Sequence, residues 1–438
     1  MSSNSSAQFV LNDTVDFTTL AKEDEAFSAT WQKSSGQLDF QDPATVTALS
    51  KAILRTHFDL HLHIPADRLC PPIPNRWSYV AWMQGLLDST SPGYCQKYDP
   101  NRQVTGLDIG TGASAIYTML CLKTRPNWTM CATDIDKKSF DSAVRNLTLN
   151  GLITRTKMLQ TIESNTLIPL QHLGVKKLDF TICNPPFFEN EEDMRHSIKG
   201  EGKGWKPNAV CTGSVGEMVC AGGDLGFVGR IIDESLVLRD KVTWYSSMLG
   251  KLSSAKAIVG QLKKHAVNNW AVGCIDTGGA TKRWIVAWSF GDHRPRNEIA
   301  RIEKIANEFL PFPTEYRITL PSDTDPPTTK DKLNAQLSTL DLSWTWNPDA
   351  LTGVGRACQN VWKRAYRREH DWKKKEMAAA GGLDSEMGGD EGDVKVELAF
   401  RVSVNEGARE IVLEWLRGND QVLWESFCGM VHRVFKRG

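Results

Sequence analysis

The chain has 438 residues, 41% hydrophobic and 24% charged, the balance of an ordinary globular protein of two or three domains and not of a collagen-like or disordered chain. Lys plus Arg and Asp plus Glu number 52 each, so no global basic field exists and any nucleic-acid contact must come from local asymmetry. No apolar run approaches the roughly 18 to 20 residues that cross a bilayer, and residues 1–8 lack the basic start of a signal peptide, which predicts a protein that stays inside the cell with no membrane partner.

Residues 1–15 read as a loose Ser/Asn-rich tail, and residues 16–97 as an N-terminal accessory layer. Within that layer Val46, Leu49, Ile53 and Leu54 recur at helical spacing over 45–58, with Asp42 as the cap and Pro43 in the first turn. His61-Leu62-His63-Ile64 alternates like a strand with both imidazoles on one face; no third ligand is in view, so a solvated face is predicted and no metal. The ten cysteines include no Cys-x-x-Cys pair, which points to buried reduced thiols.

From residue 104 short apolar runs alternate with helical stretches. Strands are predicted over 104–109, 128–134, 156–160, 178–184 and 242–248, and helices over 113–122, 137–149, 225–238 and 253–265. That alternation is the signature of an α/β fold with a mostly parallel, doubly wound sheet. Two further strands, 270–274 and 284–290, flank a connection containing Gly278-Gly279 and would close the sheet as an antiparallel hairpin. The domain is drawn over 98–376.

Residues 361–375 carry Lys363, Arg364, Arg367, Arg368, Lys373, Lys374 and Lys375 against Glu369 and Asp371, seven bases less two acids for a net charge of +5. Trp362, Tyr366 and Trp372 are interleaved, a pattern that fits phosphate contact with base stacking or, more blandly, a solvated helix face. Residues 377–393 read as an acidic Gly-rich linker, and 394–438 as a small C-terminal element with a strand over 394–404 and a helix from Ala408.

Asp108-Ile109-Gly110-Thr111-Gly112-Ala113-Ser114 joins the first strand to the first helix, with glycines that let a ligand approach the backbone. The pattern also fits a dinucleotide site, but Asp108 would lie near a pyrophosphate and repel it. S-adenosylmethionine carries no phosphate and has a cationic sulfonium and amino group, which suits an acid-lined pocket. Asp134, ending the second strand, is placed to accept from the ribose hydroxyls of either adenosine cofactor.

Asn184-Pro185-Pro186-Phe187 ends the strand over 178–184, so it faces the same crevice beyond the carboxyl ends of the strands. A planar exocyclic amine has a delocalised lone pair, and making it nucleophilic requires two acceptors that draw its N–H groups toward tetrahedral geometry. The Asn184 side-chain oxygen and the Pro185 carbonyl are such acceptors, consecutive prolines remove competing N–H groups, and Phe187 can stack on the base. A carboxamide nitrogen poses the same problem, so glutamine-N5 methylation of a release factor is the alternative within enzymes; a catalytically silent RNA-binding protein is the alternative outside them.

With Pro74-Asn75-Arg76-Trp77-Ser78-Tyr79, Ala221-Gly222-Gly223 and residues 244–250, these motifs resemble the adenine-N6 RNA methyltransferase family that contains the U6 small nuclear RNA methyltransferase and the bacterial 23S ribosomal RNA adenine-N6 enzyme. The likeness covers about 16–292. It implies a Rossmann-like class I methyltransferase that uses S-adenosylmethionine to methylate N6 of adenosine in a structured RNA, U6 small nuclear RNA at its ACAGA box or another. By the same resemblance Arg76 binds the cofactor carboxylate, Gly110 and Ser114 its amino-acid end, Asp134 its ribose, and Thr166 closes over it from a loop; Asp108, Gly112 and Asn184 complete the expected cofactor-binding set. Asn184 to Phe187 hold the flipped adenine, and 189–223 is the substrate-side loop, whose Lys199, Lys203 and Lys206 suit phosphate contact. A nuclear location, with the cytoplasm left open, follows from that substrate; no protein partner can be read. The resemblance also makes 16–97 an RNA-binding layer, although, against the family's commonly basic leading layer, residues 1–60 hold only Lys22, Lys33, Lys51 and Arg55 facing eight acids.

Overall fold

The computed structural model describes residues 15–95, 97–199, 213–276, 282–301, 313–321, 326–379 and 395–436. The chain forms two compact units, one of 1–88, 97–291 and 299–309, the other of 89–96, 292–298 and 310–438.

The first unit is built on a seven-stranded sheet. Its strands are β1 (Val104–Ile109), β2 (Trp128–Asp134), β3 (Thr156–Gln160), β4 (Leu178–Cys183), β5 (Val242–Leu249), β6 (Asn269–Asp276) and β7 (Lys282–Ser289), in the order β3-β2-β1-β4-β5-β7-β6. Pairing is parallel from β3 to β5, and β7 runs antiparallel to both β5 and β6, as the hairpin expectation required. The inner strands are buried on both faces, which is why they read as unbroken apolar runs. Gly106 has a packing reason: a Cβ there would stand 2.4 Å from the Phe180 ring and 2.7 Å from the Met130 sulfur.

Four helices, α1 (Phe17–Glu23), α2 (Glu25–Lys33), α3 (Pro43–Phe58) and α4 (Ile73–Ser89), precede the sheet. Asp42 caps α3 by accepting from the Ala44 and Thr45 N–H groups at 3.1 and 3.0 Å. These helices share one hydrophobic core with the sheet, in which Phe27, Leu54, Phe58 and Tyr79 join Leu120, Phe180 and Trp244. The accessory helices thus belong to the same compact unit as the parallel sheet.

His61–Ile64, expected as a strand, pairs with no strand. The sheet edge it would need is supplied instead by two side chains one turn apart on the helix α6 (Lys137–Leu149) and at its cap. Asn150 accepts from the His61 N–H at 2.7 Å and donates to its carbonyl at 2.8 Å; Asn146 does the same to His63 at 2.8 and 2.8 Å, and also donates to the Ala113 carbonyl at 2.9 Å.

The second unit is a five-stranded antiparallel sheet, β8 (Glu315–Thr319), β9 (Ser343–Asn347), β10 (Thr352–Ala357), β11 (Leu398–Asn405) and β12 (Glu410–Arg417), in the order β8-β12-β11-β10-β9. Helices Pro326–Ser338, Arg364–Ala379 and Gln421–Lys436 accompany it. Three expectations are corrected here. The helix from Ala408 is strand β12, because Ile411, Leu413 and Trp415 alternate into the core; the helix begins only after Asp420, which accepts from the Leu423 N–H at 3.0 Å. The boundary at 376 falls inside the helix Arg364–Ala379, and β10 pairs with β11 across the predicted linker, so 310–376 belongs with 395–436 and not with the parallel sheet. Finally, Trp362 is a core residue that is 5% exposed and donates to the Ser426 hydroxyl at 3.0 Å, and the Tyr366 hydroxyl donates to Asp341, which leaves Trp372, 59% exposed, as the aromatic able to stack on a base. Residues 380–393 of the predicted linker lie outside the described residues.

Candidate active site

The register fixes which residues meet. Ile109 is level with Thr133 on β2 and with Cys183 on β4, so Asp108, Asp134 and Asn184 gather at the carboxyl end of three adjacent strands. Gly110 and Gly112 carry φ of +67° and +65°, and a Cβ at either would project into open space, so the turn is a bare backbone surface beside the acids. The Thr111 N–H donates to the Thr133 carbonyl at 2.8 Å, which carries the turn across toward β2.

Asp108 is fully buried. Its Oδ2 accepts from the Thr111 hydroxyl at 2.7 Å and from the Thr118 hydroxyl and N–H at 2.9 and 3.3 Å, the latter on α5 (Ile116–Thr124). Oδ1 is buried with no partner among the described residues. Burial outweighs these donors and pushes the carboxyl up to about 6. Asp134 accepts from the Gly112 N–H at 2.8 Å on Oδ2 and from the Asp136 N–H at 2.9 Å on Oδ1; burial pushes it up to about 6 as well. Each oxygen of Asp134 keeps a lone pair, the requirement for gripping vicinal hydroxyls. Ser114 is buried at the end of the turn.

An unpartnered buried carboxylate oxygen, a second raised carboxyl and an open glycine turn fit a ligand that brings positive charge and hydroxyl donors, not one that brings a pyrophosphate.

The Asn184 side-chain oxygen accepts from Arg76 Nη1 at 2.9 Å, so α4 reaches the motif across the accessory layer. Phe187 packs against Gly250, where a Cβ would come within 3.1 Å of the ring. Phe188 is laced to the chain at 218–220: its N–H donates to the Met218 carbonyl and its carbonyl accepts from the Cys220 N–H, both at 3.0 Å. Lys203 and Lys206 lie outside the described residues, as does the Lys199 side chain. Thr166 is exposed, in a segment fastened to the helix Gly223–Leu238, where Glu234 accepts from the Leu167 and Ile168 N–H groups at 2.7 and 2.9 Å. No described contact joins Thr166 to Asp108 or Asp134.

Sequence reasoning missed Arg283. Its guanidinium lies 5.5 Å from the centre of the Phe187 ring, and burial with the like charge of Arg76 lowers its pKa, opposed by Asp224. The signal was a charged residue at the head of the apolar run of β7. Thr111, Thr118 and Tyr117 carry no such signal, since their roles depend on what folds against them.

A family model described as RNA methyltransferase matches residues 6–292, which end where the first unit gives way to the second. The chain belongs to this family of RNA methyltransferases. It is 32% identical over 406 residues to the U6 small nuclear RNA (adenine-(43)-N(6))-methyltransferase of Schizosaccharomyces pombe, covering 92% of this chain and 96% of that one. The likeness therefore continues into the second unit, beyond the limit of about 292 drawn from the motifs. It is 36% identical over 258 residues to human RNA N(6)-adenosine-methyltransferase METTL16, covering 58% of this chain but only 44% of that protein. Among solved structures, the human METTL16 catalytic domain in complex with a MAT2A 3′UTR hairpin matches with a TM-score of 0.55 at 34% identity, over 63% of this chain and 91% of that one. The N-terminal domain of human METTL16 in complex with SAH matches with a TM-score of 0.52 at 32% identity, over 65% and 98%. The Rossmann-like methyltransferase fold and the enzyme assignment hold. An RNA methyltransferase family sets aside both the release-factor reading and the silent binding protein. Among the described residues no helix is long and apolar enough to cross a membrane.

Proposed function

We propose that this enzyme methylates N6 of adenosine in a structured RNA, with S-adenosylmethionine as donor and U6 small nuclear RNA as substrate, and that it works in the nucleus. The observation that carries the reading is the pairing, at one end of one sheet, of a buried acidic cradle with the Asn184-Pro185-Pro186-Phe187 turn. The S. pombe relative, similar over nearly its whole length, supports U6 as the RNA.

Gly110, Gly112 and Ser114 would lie along the amino-acid end of the donor, Asp108 beside its positive charge, Asp134 at its ribose and Arg76 at its carboxylate, with Thr166 over it. The donor supplies an activated methyl group. The chain supplies position: the Asn184 oxygen and the Pro185 carbonyl accept from the amine N–H groups and turn its lone pair toward the incoming carbon, while Phe187 stacks on the adenine. No strong base is needed, because an amine proton becomes acidic once methyl transfer has made the nitrogen cationic, and it is then lost to water as the neutral methylamine forms.

RNA would be held by Lys199, Lys203 and Lys206 of the substrate-side loop and by the exposed Lys363, Arg364, Arg367 and Arg368 of the second unit. In the accessory layer Arg55 is tied to Asp24 at 2.7 Å. Incubation with labelled donor and total nuclear RNA tests the assignment: label in U6 at adenosine N6 supports it, and label in another polymer overturns it.

A further inference from the structure

A guanidinium has only donors, so the Asn184 atom facing Arg76 Nη1 at 2.9 Å must be the carboxamide oxygen. Flipping the amide would set donor against donor in a part-buried site. Arg76 therefore fixes which end of Asn184 points where, a role separate from any contact with a cofactor carboxylate.

What holds Arg76 is Tyr117, in the first turn of α5 and 3% exposed. Its hydroxyl accepts from the same Nη1 at 3.2 Å, and its ring centre lies 5.6 Å from the Arg76 guanidinium carbon. The Met248 sulfur, 3.6 Å from Nη1, completes the setting. The Tyr117 ring is braced in turn, meeting Tyr79 edge-on with centres 5.4 Å apart. Tyr79 is locked to the sheet: its hydroxyl is 2.8 Å from the Ser246 hydroxyl, and Ser246 donates through both N–H and Oγ to Thr181, three residues before Asn184. Arg76 and Tyr79 stand one turn apart on α4, so the Pro-x-Arg-x-x-Tyr element grips both the catalytic turn and the strand that leads to it.

We propose that Tyr117 is a positioning residue for methyl transfer: by holding Arg76 Nη1 it makes Arg76 present one N–H to the Asn184 oxygen, leaving the other lone pair of that oxygen for the amine to be methylated. The proposal rests on the assignment of Asn184 as an amine acceptor. Without the Tyr117 hydroxyl, Nη1 is free to leave Asn184, and the carboxamide loses its fixed orientation while the ring packing persists.

Tyr117→Phe removes only the hydroxyl. Turnover at saturating RNA and donor should fall about tenfold, the order expected when a reacting group loses its alignment. The affinity for S-adenosylhomocysteine and the KM for RNA should stay within about twofold, since the groups named for both remain. In the Asn184→Ala background the same change should cost nothing further, because Tyr117 then has no carboxamide to orient. Undiminished turnover of Tyr117→Phe beside a crippled Asn184→Ala overturns the proposal while leaving Asn184's role intact, and so does an equal fractional loss in both backgrounds. Normal turnover of Asn184→Ala would instead overturn the reading on which it rests. If Tyr117→Phe lowers the melting temperature, the same cycle is run at a temperature well below its unfolding transition, where additive losses reject the proposal.

Discussion

The two halves of the crevice are held together in opposite ways. The acidic half is local: Asp108 is served by Thr111 and Thr118, and Asp134 by the N–H groups of Gly112 and Asp136, all within one strand-turn-helix passage and the strand beside it. The amine half is assembled from afar: Asn184 is bound by Arg76, 108 positions away in the chain, and Phe187 is flanked by Arg283 from the last strand of the sheet. A locally built half should survive changes at the Asn184 turn that disable the other, so cofactor affinity and turnover should separate under mutation there.

The largest effect tests that separation directly. Asn184→Ala should cut turnover by roughly 10²-fold or more, by analogy with loss of one preorganised polar group, while donor affinity and the unfolding transition stay near wild type. Single-turnover assays at saturating RNA beside calorimetric titration check it; a parallel loss of both quantities would mean that the halves are one unit.

The converse change should fall on the other side. Asp134→Ala removes both acceptors proposed for the ribose, and donor affinity should weaken by about tenfold or more while RNA binding persists. Equal losses in the two titrations would assign Asp134 to the support of the glycine turn, whose Gly112 N–H it also accepts.

That contrast explains what could be read from the sequence. The strands 104–109, 128–134 and 156–160 and the acid-glycine turn were legible because spacing along the chain is their geometry. Arg76 bonded to Asn184, Tyr117 behind it and Arg283 beside Phe187 were not, because nothing in the local pattern encodes which helix lands on which strand end. The same limit shaped the second unit, where β10 and β11 are joined across the predicted linker by pairing alone, and where Trp362 looked like a stacking aromatic until burial placed it in the core.

A third change should leave both halves alone. Replacing Arg364, Arg367 and Arg368 with Gln removes three exposed charges from the second unit, and RNA affinity should weaken severalfold, with the salt dependence losing roughly 0.7 to 0.9 in slope for each phosphate contact removed. Donor affinity should not move. An unchanged slope across salt concentrations would return the RNA contacts to Lys199, Lys203 and Lys206.

The smallest effect follows from the raised carboxyls and sharpens what makes the acidic half special. In the folded chain Asp108 and Asp134 hold their protons up to about 6, whereas the ordinary value is 3.8. Between those values the unfolded chain releases protons that the native state keeps, so the two groups reduce stability as pH rises through this window, and the penalty levels off above about 6. A bound cation favours the carboxylates and reverses the preference, so donor binding should release protons below about pH 6 and tighten as pH rises through it. Affinity measured by calorimetry should therefore weaken about threefold to tenfold from pH 7 to pH 5, with a smaller change for S-adenosylhomocysteine, which lacks the sulfonium charge. Asp134→Asn should reduce that slope without abolishing it, because Asp108 still titrates. An affinity that is flat with pH, or that rises on acidification, would mean that the two carboxylates do not face the positive charge of the donor.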